Sequence, residues 1–306
     1  MPLRHLFTFL LFLFLATACS NSANLTVPLA VEASASDVGA EDLDNQEAFK
    51  FAIASIVSIK ETHRTYHKFI NYLEKELGRP VEIIQKQTYS DIKKAFERGE
   101  IDAGIVCTYL GVIGYEQELF EFVAMPVINN QKLFTSYIIV RKETEYESVA
   151  DLKSRSFAFS DPLSYSGYFV PSYEISKAGY ELGEYFSNFY YTYSHDNTIL
   201  AVANGLVDGG ATHSEVYKQL EAENNPIIEK LKIIGEGPYV GNFPIVVSLN
   251  LDQQLKENLE NVVLSMHLTE EGQKALGKLN IDYFIEPEEE LYSPVLEMLA
   301  ELGETR

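Results

Sequence analysis

"FKFAIASIVSIKETHRTYHKFINYLEKELGRPVEIIQKQTYSDIKKAFERGEIDAGIV" (residues 49–106) holds short apolar runs separated by two longer stretches with a different rhythm. The run FKFAIAS reads as a strand. Behind it Tyr66, Phe69, Ile70, Leu73 and Leu77 recur at the spacing of one helix face, and Gly78 and Pro80 supply the stop. PVEIIQ reads as a second strand. In SDIKKAFERG, Ser90 stands as a cap, Ile92, Ala95 and Phe96 share a face, and Gly99 terminates. IDAGIV is a third strand. This alternation predicts a parallel sheet with right-handed crossovers, because parallel neighbours need a connection that returns the chain to the same end.

Downstream the order repeats. SYIIVRK (136–142) is a long strand suited to carry the chain into a second lobe. There SFAFSD reads as a strand, Ser166 to Ala178 as a helix, FYYTY as a strand, NTILAVANG as a helix and LVDGGAT as a strand. A helix from Glu215 to Ala222 and the strand KLKIIG follow. FPIVVSL (243–249) looks like a return strand, and the remainder reads as helical, with two amphipathic pieces suited to pack on the first lobe. The expected fold is α/β and two-lobed, each lobe a mostly parallel sheet flanked by helices, joined by two crossing strands. Residues 48–138 with 244–306 make the first lobe and 139–243 the second. No internal sequence repeat is visible. Ligands of such folds bind outside the carboxyl ends of the strands, here in the cleft between lobes.

The N-terminus has an export pattern. Arg4 and His5 precede an unbroken apolar run, Leu6 to Leu15, which is too short to span a bilayer; Ala16, Thr17, Ala18 and Cys19 follow. A cysteine directly after small residues resembles the bacterial lipobox, with Ala16 where leucine is commoner. It implies a signal peptide over 1–18, cleavage before Cys19 and a lipid on its thiol; the other reading is ordinary signal cleavage beside an incidental cysteine. Residues 19–47 lack either hydrophobic period and read as a flexible tether. With Cys19 lipidated, Cys107 alone remains, so the fold must stand on its core without an internal disulfide. Acidic residues outnumber basic ones by 45 to 24, for a formal net charge of -21. That excludes nucleic acid and an anionic membrane face as partners. Any bound anion must be held by local dipoles.

Three strand-to-helix junctions hold the chemistry. In FSDPLSYSGYFVP, Ser164, Tyr165 and Ser166 gather hydroxyls at a helix start, where unpaired backbone N–H groups already suit an oxyanion. Gly167 leaves room where a ligand would sit close. The bland alternative is that Ser164 or Ser166 only caps the helix. In YSHDNTILAVANG, His195 and Asp196 open another helix, with Ser194 or Asn197 as cap; a lone histidine there is structural or functional. Glu215 begins a helix after a strand end, which by itself suits a first-turn acid. In IDAGIVCTYLG, Cys107, Thr108 and Tyr109 follow the third strand. The Cys107 thiol either fills space or faces the cleft as a soft ligand or nucleophile.

Four stretches, IDAGIVCTYLGVIGYE, SYIIVRKETEYESVADLKSRSFAFSDPLSYSGYFVPSYEISKAG, YSHDNTILAVANGLVDGGATHSEVY and GPYVGNFPIVVS, resemble in order the phosphate/phosphite/phosphonate family of ABC-transporter substrate-binding proteins, of the type II periplasmic binding fold. The resemblance runs from about Phe49 to Phe284. It implies that the hydroxyl-rich helix start at Ser164, Tyr165 and Ser166 binds phosphoryl oxygens, with Tyr165 in place of the usual threonine. It aligns a first-lobe tyrosine with Tyr109, the histidine of S-H-D with His195, and an amine-binding acid of the aminophosphonate-binding member with Glu215. That member's second acid falls near Phe243, which puts an aminophosphonate ligand in doubt. The family also includes arsenite-sensing proteins with a cysteine in the region of Cys107.

The expectation is therefore a lipid-anchored, exported, monomeric protein that is not an enzyme and needs no cofactor. It captures a small oxyanion for an ABC transporter permease, or alternatively reports an oxyanion or arsenite to a membrane sensor kinase. An exported thiol hydrolase built on Cys107 with His195 or His213 is a third class, without a nucleophile-elbow or zinc motif to support it.

Overall fold

The computed structural model describes residues 47–54 and 59–303. The expected signal peptide, Cys19 and the tether up to residue 46 lie outside the described residues. Among the described residues no helix is long and apolar enough to cross a membrane.

β1 (Phe49–Ile53) runs parallel to both β2 (Val81–Ile84) and β3 (Ala103–Ile105). The helix Ile59–Leu77 makes the first crossover and buries Phe69, Ile70 and Leu73 against the sheet. Gly78, at φ +63°, takes the left-handed step that ends it. The helix Tyr89–Glu97 makes the second. Its cap is Thr88, not the expected Ser90: Thr88 is extended and its side chain accepts the Asp91 N–H, whereas Ser90 already lies within the helix.

The chain continues through β4 (Phe120–Val127) and β5 (Leu133–Phe134). β6 (Ser136–Arg141), β7 (Ser156–Phe159), β8 (Asn188–Tyr191), β9 (Gly209–His213) and β10 (Leu231–Glu236) follow. β11 (Val240–Gly241), β12 (Ile245–Ser248) and β13 (Tyr283–Ile285) complete the strands. One sheet has the order β13-β4-β12-β3-β1-β2 and the other β10-β6-β9-β7-β8.

The two sheets share a plan. In the first, β1 to β4 point one way and β12 enters reversed between β3 and β4. In the second, β7 to β10 point one way and β6 enters reversed between β9 and β10. Each of these two reversed strands arrives from the other lobe, and β13 adds a further antiparallel strand at the edge of the first sheet. This is the two-lobed α/β architecture with two crossing strands, and its repetition is topological. The second sheet already begins at Ser136, just before the expected change of lobe at 139.

The crossing segments are pinned together. β5 and β11 form a two-stranded antiparallel ribbon, Thr135 Oγ1 donates to Gly237 O at 2.6 Å, and buried Asn242 donates to Pro126 O and Gln131 O, each at 3.1 Å. The C-terminal part is not wholly helical, since β13 pairs with β4. The helix Gln253–Ser265 packs on the first lobe through Leu259 and Val263, as expected. The helix Ser293–Glu301 instead buries Val295 and Met298 in a cluster drawn from both lobes, and Glu301 accepts the Tyr173 hydroxyl at 2.6 Å.

Candidate functional site

Strand ends from both lobes meet around one small enclosed chamber of about 10 Å³, on the scale that holds a water. β7 delivers the hydroxyl stretch. After Ser160 and Asp161 the backbone forms a π-helical turn, Tyr165–Phe169, that runs into the helix Val170–Lys177. Ser164 caps it, accepting the Gly167 N–H at 3.1 Å. Gly167 is required for packing: a Cβ there would stand 1.7 Å from Ser160 Oγ. The space expected for a ligand is thus occupied by the Ser160 side chain. Ser164, Tyr165 and Ser166 all line the chamber. Tyr165 also donates its hydroxyl to Pro238 O at 2.9 Å, and burial pushes the phenol well above its ordinary range.

The second contribution comes from the ends of β8 and β9. His195 opens the helix His195–Ala203, and its Nδ1 lies 3.0 Å from the backbone N–H of His213. A backbone N–H can only donate, so Nδ1 carries the lone pair and the ring proton sits on Nε2. Nε2–H then donates to Ser164 Oγ at 3.4 Å. Having accepted from Gly167 and His195, the Ser164 hydroxyl keeps its own proton to offer the chamber. Burial pulls the His195 pKa down to about 3, so the imidazole is neutral. Ser194 occupies the cap position of this helix without making a side-chain cap bond.

The first lobe closes the chamber with Tyr89, Cys107, Thr108 and Phe243, and Phe134 of the ribbon completes the wall. Cys107 sits at the cap position of the helix Thr108–Glu116 and donates its thiol to Leu163 O of the other lobe at 3.0 Å. Burial pushes this thiol far above its usual range, so it is protonated and poorly suited to nucleophilic attack. Asp161 makes a second tie: its Oδ2 accepts the Tyr89 N–H at 3.1 Å, at the start of the helix Tyr89–Glu97, and its Oδ1 accepts Leu163 N–H at 2.8 Å.

Five of the seven expected site residues come together here: Cys107, Ser164, Tyr165, Ser166 and His195. Tyr109 does not line the chamber; its ring stacks on Phe169 at 4.3 Å between centroids. Glu215 lies outside as well. It borders a separate cleft of about 310 Å³ beyond His213 and Phe243, paired with Lys218 at 2.8 Å. Among the described residues no lysine or arginine lines the chamber, and the polar groups that line it are neutral.

A sequence profile described as the ABC transporter, phosphonate, periplasmic substrate-binding protein matches residues 51–292. The chain belongs to that family. It is accordingly an exported substrate-binding component of transport and not an enzyme. The chain is 24% identical over 242 residues to the phosphonates-binding periplasmic protein of Escherichia coli K12, covering 77% of this chain and 71% of that one. Two crystal structures share the fold. The binding component of a phosphonate ABC transporter from Pseudomonas aeruginosa aligns with a TM-score of 0.78 at 24% identity, covering 85% of this chain and 87% of the other. PhnD1 of Prochlorococcus marinus MIT 9301, in complex with methylphosphonate, aligns at 0.75 and 22% identity, covering 84% and 99%.

In this substrate-binding protein Tyr89, Thr108, Phe134 and His213 border the chamber without having stood out as ligand contacts in the sequence. Tyr89 and Thr108 did sit at helix starts, the signal that marked Ser164. Tyr89 and Ser164 are far apart in the chain, and only the fold brings them to the same place.

Proposed function

We propose that this binding protein closes its lobes on the phosphoryl group of a small phosphonate or phosphite and delivers it to an ABC permease, held to the membrane by a lipid on Cys19. The observation that carries this is the set of groups gathered around the chamber, whose water-sized volume has to widen, by a small parting of the lobes, to take a phosphoryl group. The chamber draws the Ser164 and Ser166 hydroxyls and His195 to the start of one helix, and among the described residues no lysine or arginine lines it. Five or six hydrogen bonds to an anion, at roughly 1.5–3 kcal/mol each, suffice to offset desolvation and closure. A net of about -8 kcal/mol gives micromolar affinity.

The wall also argues for the fourth substituent on phosphorus. Phe134 and Phe243 present phenyl rings, and among the described residues no carboxylate lines the chamber. The fourth oxygen of phosphate or sulfate would face apolar surface unpaired, whereas hydrogen or methyl would not. An aminoethyl group finds no acid in the chamber, because Glu215 lies outside and is paired with Lys218. The protonated, hydrogen-bonded Cys107 thiol speaks against arsenite and the sensing role that goes with it.

A thermal-shift and calorimetric panel of phosphite, methylphosphonate, phosphate, aminoethylphosphonate, sulfate and arsenite tests this. Methylphosphonate or phosphite is expected to bind best. Ligand at about a hundred times its Kd should add about 2.7 kcal/mol of stability. A response to arsenite alone, or to none of the phosphorus compounds, would refute the reading.

A further inference from the structure

We infer that His213 donates its Nε2–H to the bound oxyanion, beside the Ser164 hydroxyl that His195 holds in place. This rests on the phosphonate reading above and adds a residue to it. His213 ends β9 and is buried, and its ring lies flat on Phe134, 3.9 Å between centroids and 3° between planes. Its Nδ1 accepts the Glu215 backbone N–H at 3.2 Å, capping the helix Ser214–Ala222. Stack and cap together fix the ring, and the cap fixes its tautomer: Nδ1 holds the lone pair, so Nε2 carries the proton. Nε2 has no hydrogen-bond partner among the described residues, and the ring borders both the chamber and the outer cleft.

His195, 18 residues earlier in the chain, is locked in the same way. The N–H of His213 holds His195 Nδ1, and the N–H of Glu215 holds His213 Nδ1. The end of β9 and the turn of backbone after it thus set two imidazoles, 5.6 Å apart between ring centroids, that of His195 with its Nε2–H on Ser164 Oγ and that of His213 with its Nε2–H unclaimed. Burial keeps both rings uncharged in the free protein. A rigid neutral donor serves an anion in a chain of formal charge -21, where a surface field cannot.

A purely structural His213 would only cap and stack, and two variants of the full chain separate the roles. His213→Asn keeps a side-chain acceptor suited to the cap but cannot reach the chamber. His213→Gln places an amide N–H near the former Nε2 while weakening the cap. In calorimetry with methylphosphonate, H213N should bind about 10- to 100-fold more weakly than wild type, and its melting midpoint should fall with the loss of the ring stacked on Phe134. H213Q should melt lower yet keep more of the affinity. Nitrogen NMR of the wild-type rings provides a second readout: His213 should be protonated at Nε2 and that signal should shift on adding methylphosphonate. Wild-type affinity in H213N, a proton on Nδ1, or a ring signal indifferent to ligand would each overturn the role of His213. Failure of the wild-type chain to bind methylphosphonate would instead sink the phosphonate reading on which it rests.

Discussion

His195 shows what burial costs a side chain and what it provides. Its folded pKa is pulled to about 3, below the ordinary histidine value near 6.5, because the charged ring would lose its water. The unfolded chain therefore binds more protons between those two values. Stability is fully present above about pH 6.5 and is lost as pH falls toward 3, by about 2 kcal/mol at pH 5 from this residue. His213 acts in the same direction, while Asp161, whose carboxyl is raised by burial, opposes it. Urea unfolding at pH 7.5 and 5 should show the loss, and His195→Gln should flatten it; equal slopes in the two proteins would disprove the assignment. The same residue was legible in the sequence because it opens a helix directly after a strand. Tyr89 was not, since its neighbour Asp161 lies 72 positions away and nothing local records their meeting.

Among the elements, the helix Tyr89–Glu97 depends on a residue of the other lobe. Asp161 accepts its Tyr89 N–H while also holding Leu163 N–H, so one buried carboxylate joins a helix N-terminus to the loop that carries Ser164. The bond to Tyr89 exists only when the lobes are together. Asp161→Ala should therefore cost the closed form about 1–3 kcal/mol and weaken methylphosphonate binding by about tenfold or more. Calorimetry on the variant checks this, and undiminished affinity would show that the tie contributes nothing to closure. Elements with long periodic runs were read correctly from sequence, including the three-strand, two-helix start and both crossing strands. β4 was missed because Pro126 lies within it, and proline ordinarily argues against a paired strand. β5 and β11 were missed because each spans two residues, too short for any period to register. Their pairing follows from the crossing of the chain, which is a property of the whole fold.

At the scale of the molecule, two sheets of the same plan are joined by a ribbon, and the chamber lies where their strand ends meet. Cys107 is placed to report any separation of the lobes. The residue is 8% exposed and its thiol donates to Leu163 O across the junction, so separation of the lobes would uncover it. A ligand that bridges the lobes holds the closed population, since it binds that form in preference. Alkylation of Cys107 by iodoacetamide, followed by mass spectrometry of the peptide that contains it, should be slow in the free protein because burial disfavours the thiolate. Saturating methylphosphonate should slow it further, in proportion to the fraction closed. Cys107→Ser, which preserves a donor to Leu163 O, should bind methylphosphonate within a few-fold of wild type. A labelling rate indifferent to ligand would mean that the lobes stay together when empty, and the ligand would then have to enter through the outer cleft past His213 and Phe243.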